Sequence, residues 1–347
     1  MLKQTIERRW IMSRCKYFFT LFVALSLFAM LTPSNAQESG AAFPVTISHK
    51  YGSTTIEKQP QRVVIIGFSE QDAYLALGIK PIAIRYWYGD APNAIFPWAV
   101  EAADGATPEV LNMPFGNLNY EAILALKPDV ISGVISGITK DEYDKLSQIA
   151  PTIAQSDAYI EFGVPWQEVT TVAGAVTGKP DDAKRLISEV EAKFAKTREA
   201  NPHFKDKTVA VAYQFDKQYG FYTAQDQRGR FFTQLGFVMP QTLLDVAGTS
   251  FYANLSAERV DLLDQDLLVF IGLAFSEKGR DGIQADPLIT RLKVAREGRI
   301  AFVPSAYDDA LQFSSVLSLG YALDGIVPEL QRALPAPSAT PDATPSK

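Results

Sequence analysis

Apolar residues recur along this chain in two rhythms that alternate. Short, nearly continuous apolar runs fall at Arg62 to Phe68 (RVVIIGF), Val130 to Val134, Thr208 to Phe215 (TVAVAYQF), Asp266 to Gly272 (DLLVFIG) and Arg299 to Pro304 (RIAFVP). Such runs predict parallel strands buried on both faces. Lys80 to Arg85 and Tyr219 to Thr223 read as further strands, and Val45 to Glu57 as an opening hairpin or edge strand. Between them lie helical patterns: Ser69 to Leu77 closed by Gly78, Glu121 to Leu126, and Phe231 to Leu235 stopped by Gly236. The alternation predicts an α/β fold.

One helical pattern is longer than the rest. Ala183, Leu186, Ile187, Val190 and Phe194 recur at helical spacing, with Asp181 or Asp182 as the capping residue and Asn201-Pro202 as the stop. About twenty residues at ~1.5 Å each make a rod of roughly 30 Å. A block of strand and helix patterns lies on either side, at 43–179 and 205–334. The sequence therefore predicts two doubly wound α/β lobes joined by the helix at 180–201. The halves also echo each other. Asn117, Leu118, Glu121 and Asp129 recur as Asn254, Leu255, Glu258 and Asp266, each at an offset of 137 residues, and each set continues into an apolar helix and a strand, as related lobes would.

Composition adds an address. Arg14 and Lys16 precede an apolar run from Tyr17 to Leu31 that ends at Ser34-Asn35-Ala36, the pattern of a secretory signal cleaved after Ala36. The run is short for a membrane span. Loss of residues 1–36 takes five of the 33 basic and one of the 39 acidic groups, leaving a net charge of −10. That charge argues against nucleic-acid binding. Cys15, the only cysteine, lies within the leader, while a lipoprotein needs its cysteine at the cleavage site, here Ala36-Gln37. The mature chain thus has no disulfide and no cysteine metal site, and a periplasmic location is expected. The Pro-, Ala-, Ser- and Thr-rich tail at 335–347 is expected to be disordered.

Catalytic motifs are missing. There is no G-x-S-x-G, Walker loop or G-x-G-x-x-G, and Gly174 to Lys179 misses the phosphate-loop spacing. His49 and His203 are the only histidines, too few for a typical zinc or manganese site. An exported pair of α/β lobes around a cleft, without catalytic motifs, points to solute binding.

The chain resembles the periplasmic binding proteins of ATP-driven importers for ferric siderophores and vitamin B12, in which one helix joins two lobes. The segments QRVVIIGFSEQDAYLALGIKPIAI (61–84), NYEAILALKPDVISG (119–133), EYDKLSQIAPTI (142–153) and SAERVDLLDQDLLVFIG (256–272) carry the resemblance, which spans Phe43 to Leu334. PWAVEA (97–102), SGITKDEYDKLSQIAPT (136–152) and VPWQEV (164–169) place it nearest the iron-siderophore branch. The resemblance implies that Glu121 and Glu258 dock onto arginines of the membrane permease, one from each lobe. It also implies a monomer that delivers its ligand to an ABC permease and its ATPase, with no cofactor and with iron held only through the siderophore. Phe115 and Tyr252 fall near positions that contact ligand in hydroxamate-binding relatives, although the first is often arginine there and Phe115 is uncharged.

A ferric siderophore needs aromatic walls and a few donors aimed at its oxygens. On loops expected to follow strands, the candidates are Arg85, Trp87, Tyr88 and Phe115 in the first lobe and Tyr213, Arg228, Arg230, Tyr252 and Tyr307 in the second. Arg228 and Arg230 are expected in a Gly-containing loop, and Trp98 and Trp166 to be structural. If two of the three arginines enter the cleft, an anionic complex is favoured; if none does, a neutral or cationic hydroxamate complex is favoured, held by stacking and cation–π contact. The other readings are a cobalamin or haem carrier, an exported enzyme with dispersed catalytic residues, and a sensory ectodomain.

Overall fold

Strand β3 (Val63–Ile65) shows why the continuous runs become inner strands. Val63 and Ile65 enter one hydrophobic core while Val64 and Ile66 enter another on the opposite face, and all four are buried. A strand covered on both sides has no polar face to write into its sequence. The computed structural model describes residues 43–89 and 91–337. The expected leader, and the expected tail from residue 338 onward, lie outside them.

The described chain runs through β1 (Val45–His49), β2 (Gly52–Ile56), β3, α1 (Gln71–Ala76), β4 (Ala83–Arg85), β5 (Glu109–Leu111), α2 (Tyr120–Ala125), β6 (Val130–Gly133) and β7 (Thr152–Ala154). Helices α3 (Trp166–Thr177) and α4 (Pro180–Ala200) follow. Then come β8 (Val209–Phe215), β9 (Gln218–Tyr222), α5 (Gln227–Gln234), β10 (Tyr252–Leu255), β11 (Leu267–Phe270), β12 (Ile300–Phe302), α6 (Ser305–Phe313) and α7 (Ser318–Ala333). The hairpin β1–β2 is antiparallel, pairing Val45 with Ile56. The first lobe holds an all-parallel sheet in the order β5-β4-β3-β6-β7. The second holds β10-β9-β8-β11-β12, parallel except at β9, which runs antiparallel to both neighbours.

The internal echo has a structural counterpart. Asp129 accepts the backbone N–H groups of Gln61 and Arg62 at 2.7 and 2.8 Å, just before β3. Asp266 accepts the N–H of Thr208 at 2.9 Å, just before β8. Each aspartate thus ties the start of its own strand, β6 or β11, to the neighbouring central strand. Leu118 and Leu255 are both buried. The segment after Asn254 forms 3-10 helix over Ala257–Leu263, whereas its counterpart after Asn119 is α-helical.

Helix α4 lays Ala183, Val190 and Phe194 into the core, with Leu186 and Ile187 beside them. Its start differs from expectation. Pro180 occupies the first helical position, suited to it by a fixed φ and a missing N–H, and Asp181 and Asp182 lie in the first turn without capping. They pair instead with Lys184 and Arg185. Asn201 ends the helix, donating to Thr197 O at 2.8 Å and accepting from Gln331 at 2.7 Å.

That last bond exposes what the patterning left out. Helix α7 packs against α4 and reaches the Pro97–Ala99 turn of the first lobe. One continuous core takes in Val63 and Ile65 of the first sheet, Val209, Val211, Leu267 and Val269 of the second, and residues of α3, α4 and α7. The two lobes therefore share apolar packing as well as a connecting rod.

Candidate functional site

In the first sheet the strand order reverses between β3 and β6, so the loops leaving those strands part and open a crevice at their carboxyl ends. The turn from β3 into α1 is held by Glu70, which accepts Ile135 N–H at 2.5 Å and the Ser132 hydroxyl at 2.6 Å. Gly67 leaves room for it: a Cβ there would sit 1.5 Å from the Glu70 carboxylate. Burial pushes the Glu70 carboxyl up to about 7 against the pull of these donors.

Two adjoining chambers fill the crevice. The larger, about 550 Å³, is walled by Trp87 and Tyr88 from the first lobe and by Tyr213, Tyr222, Phe251, Tyr252 and Phe275 from the second. The smaller, about 230 Å³, lies among Phe68, Phe162, Ile135, Phe313 and Asp226. Trp87, Arg228, Phe251 and Gln312 border both. Tilted ring contacts link them: Trp87 lies 5.6 Å from Phe68 within the first lobe and 5.5 Å from Phe313 of the second. Tyr88 donates to the carbonyl of Asp309 at 2.9 Å, a further tie across the cleft. Burial raises the hydroxyls of Tyr88, Tyr213 and Tyr222 above the usual tyrosine range, so they stay protonated as donors.

Arg228 is the one cation in these walls among the described residues. Its Nε and Nη2 each donate at 2.7 Å to the two oxygens of Asp226, and Nη1 donates at 2.9 Å to Gln312 Oε1. The guanidinium lies 3.7 Å over the Tyr222 ring. Burial alone would favour losing the proton, but the Asp226 carboxylate more than offsets this and holds Arg228 charged. The same carboxylate caps α5 by accepting Arg228 N–H. Behind Gln312 sits Asp308, raised to about 6 by burial although it accepts the Gly272 N–H.

Of the nine candidate ligand residues, Trp87, Tyr88, Tyr213, Arg228 and Tyr252 line the cleft. The other four line neither chamber. Arg85 is buried beneath Phe68 and donates to the carbonyls of Met113 and Pro114 at 2.7 and 2.8 Å. Arg230 donates to the carbonyls of Ala224 and Gln225 and across the lobes to Gly163. Both arginines are occupied in closing loops. Tyr307 faces the opposite side of α6 from Gln312, its ring 5.0 Å from Tyr321 and against Gly325 of α7. Phe115 is 61% exposed on the first lobe's rim, 5.9 Å from Phe162 but outside both chambers. Arg228 and Arg230 belong to helix α5 rather than a loop, because the Asp226 cap starts it four residues before the apolar pattern becomes visible.

Patterning overlooked Phe68, Phe162, Gln214, Tyr222, Asp226, Phe251, Phe275, Gln312 and Phe313. Asp226, two residues before Arg228, carried a usable signal, and so did helical spacing from Asp308 to Gln312. Glu121 and Glu258 are both exposed, each in the first turn of its helical segment. Trp166 is buried, and Trp98 donates to Asp72 at 2.7 Å, as structural residues do. Among the described residues no group of three or more His, Cys, Asp or Glu side chains is placed to hold a metal ion. No helix among them is long and apolar enough to cross a membrane.

A family model described as periplasmic binding protein matches residues 89–307. The chain belongs to that family. It is 28% identical over 269 residues to the probable siderophore-binding lipoprotein YfiY of Bacillus subtilis, covering 74% of this chain and 79% of the relative. It is 24% identical to the ferric enterobactin-binding periplasmic protein FepB of Escherichia coli, over 80% of this chain and 89% of the relative. Among solved structures, a periplasmic solute binding protein from Mycobacterium smegmatis superposes with a TM-score of 0.74 at 33% identity, covering 84% of this chain and 99% of that one. PiaA of Streptococcus pneumoniae in complex with ferrichrome superposes with a TM-score of 0.72 at 28% identity, over 84% and 98%.

Proposed function

We propose that this protein captures a ferric siderophore in the cleft and delivers it to an ABC permease and its ATPase for iron uptake. The observation that carries the reading is the pair of chambers at the strand ends, walled by rings from both lobes and fitted with one oriented guanidinium. Their combined size suits a bulky, partly apolar chelate. Relatives described as siderophore-binding and ferric enterobactin-binding support the ligand class. The protein acts by binding without turnover, as a monomer, and the siderophore alone coordinates the iron. Glu121 and Glu258, one exposed carboxylate on each lobe, serve as the permease-docking pair and set orientation more than affinity. Export through a cleaved leader places the mature chain in the periplasm.

Titration of the mature protein by tryptophan fluorescence tests the reading, because Trp87 lines both chambers while Trp166 is buried away from them. Saturable quenching by a ferric siderophore is expected. Saturation only by cobalamin or haem, or conversion of the bound ligand, overturns it.

A further inference from the structure

Granted the siderophore reading, on which this inference rests, charge selects the class of complex. Arg228 and Asp226 are the only charged side chains lining the two chambers among the described residues, and they form one bidentate ion pair. A guanidinium has five N–H donors. Three are spent on Asp226 and Gln312, which leaves one on each Nη for a ligand oxygen. Arg228 can therefore orient a ligand oxygen while its charge is already balanced. Two acidic groups stand behind the walls. Asp308 lies behind Gln312, and Glu277 accepts from Gln214 behind the second lobe's wall. Arg85 and Arg230 keep their charge but line neither chamber, their donors directed to backbone carbonyls.

An anionic complex entering this cleft would give up water without meeting an unbalanced cation in the chamber walls, and a buried charge without a partner is costly. Three hydroxamates, one negative charge each, neutralise Fe(III). Three catecholates, two charges each, leave a trianion, and citrate complexes are also anionic. Aromatic faces such as those of Tyr222 and Tyr252 accept neutral or cationic groups. We infer that the cleft selects ferric complexes without net negative charge, the trihydroxamate class, and that Asp226 sets this selectivity by neutralising Arg228.

The test titrates wild type and Asp226→Asn with ferrichrome (neutral), ferrioxamine B (cationic), ferric enterobactin and ferric dicitrate (both anionic), at low and high salt. Asparagine is as good a helix cap as aspartate, so α5 keeps its start. Wild type is expected to bind ferrichrome or ferrioxamine B at least roughly tenfold more tightly than either anion, with ferrichrome affinity nearly independent of salt. Asp226→Asn is expected to narrow that gap by about tenfold as the Arg228 charge is released. If an anion binds wild type most tightly, or the variant keeps the wild-type ranking, charge selection is overturned and the siderophore reading stands. Saturation by none of the four overturns both. Should the variant melt early, the wild-type ranking and its salt dependence decide.

Discussion

Glu70 turns the architecture of the cleft floor into a measurable pH dependence. Its carboxyl is fully buried between the loops of β3 and β6, and burial raises it from 4.5 to about 7. The folded protein therefore binds this proton more tightly than the unfolded chain does. Stability from the neutral acid is fully present below the unfolded value and is lost as pH rises through the folded one. Integrated between pH 5 and pH 8, the loss is about 2 to 3 kcal/mol. Glu70→Gln keeps an acceptor for Ile135 N–H and an amide that the Ser132 hydroxyl can turn to meet. The variant should gain those ~2 to 3 kcal/mol relative to wild type at pH 8 compared with pH 5. Urea denaturation of both proteins at the two pH values measures it. A stability difference that does not change with pH, or one that moves the other way, refutes the reasoning.

Other consequences follow from packing and from the exposed carboxylates. Because the two sheets share one core through α3, α4 and α7, ligand binding should change the radius of gyration by about 1 Å or less; a large drop in solution scattering would overturn the rigid reading. Phe194 is 2% exposed and lies 5.5 Å from the Phe231 ring, so Phe194→Ala should cost about 3 to 5 kcal/mol. A loss below about 1 kcal/mol by denaturant titration would show that α4 is not integral to that core. Replacing Glu121 and Glu258 together by alanine should abolish uptake in cells while leaving ligand affinity in vitro unchanged, since both are exposed and neither lines the chambers. A marked fall in affinity would refute the docking role.

What the sequence determined by itself was the sequence of elements. A strand buried on both faces must be apolar throughout, and a helix that covers a core must repeat at its own pitch, so β3, β8, β11 and α4 are written locally. Asn201, Gly78 and Gly236 marked helix ends for equally local reasons, and the 137-residue echo located two aspartates that serve the same bond in both lobes. Helix α7 escaped notice although it welds the lobes together, because its role depends on neighbours far away in the chain. Tertiary structure alone decided which polar side chains enter the cleft. Arg85 and Arg228 are equal candidates in sequence, but Arg85 ends β4 and Arg228 stands in the first turn of α5. Arg85 meets the open carbonyls of Met113 and Pro114, residues 28 and 29 positions away, and folds inward to satisfy them. Arg228 meets Asp226 and Gln312 at the mouth and stays in the wall. A guanidinium goes where its donors find acceptors, and long-range packing sets where those acceptors stand.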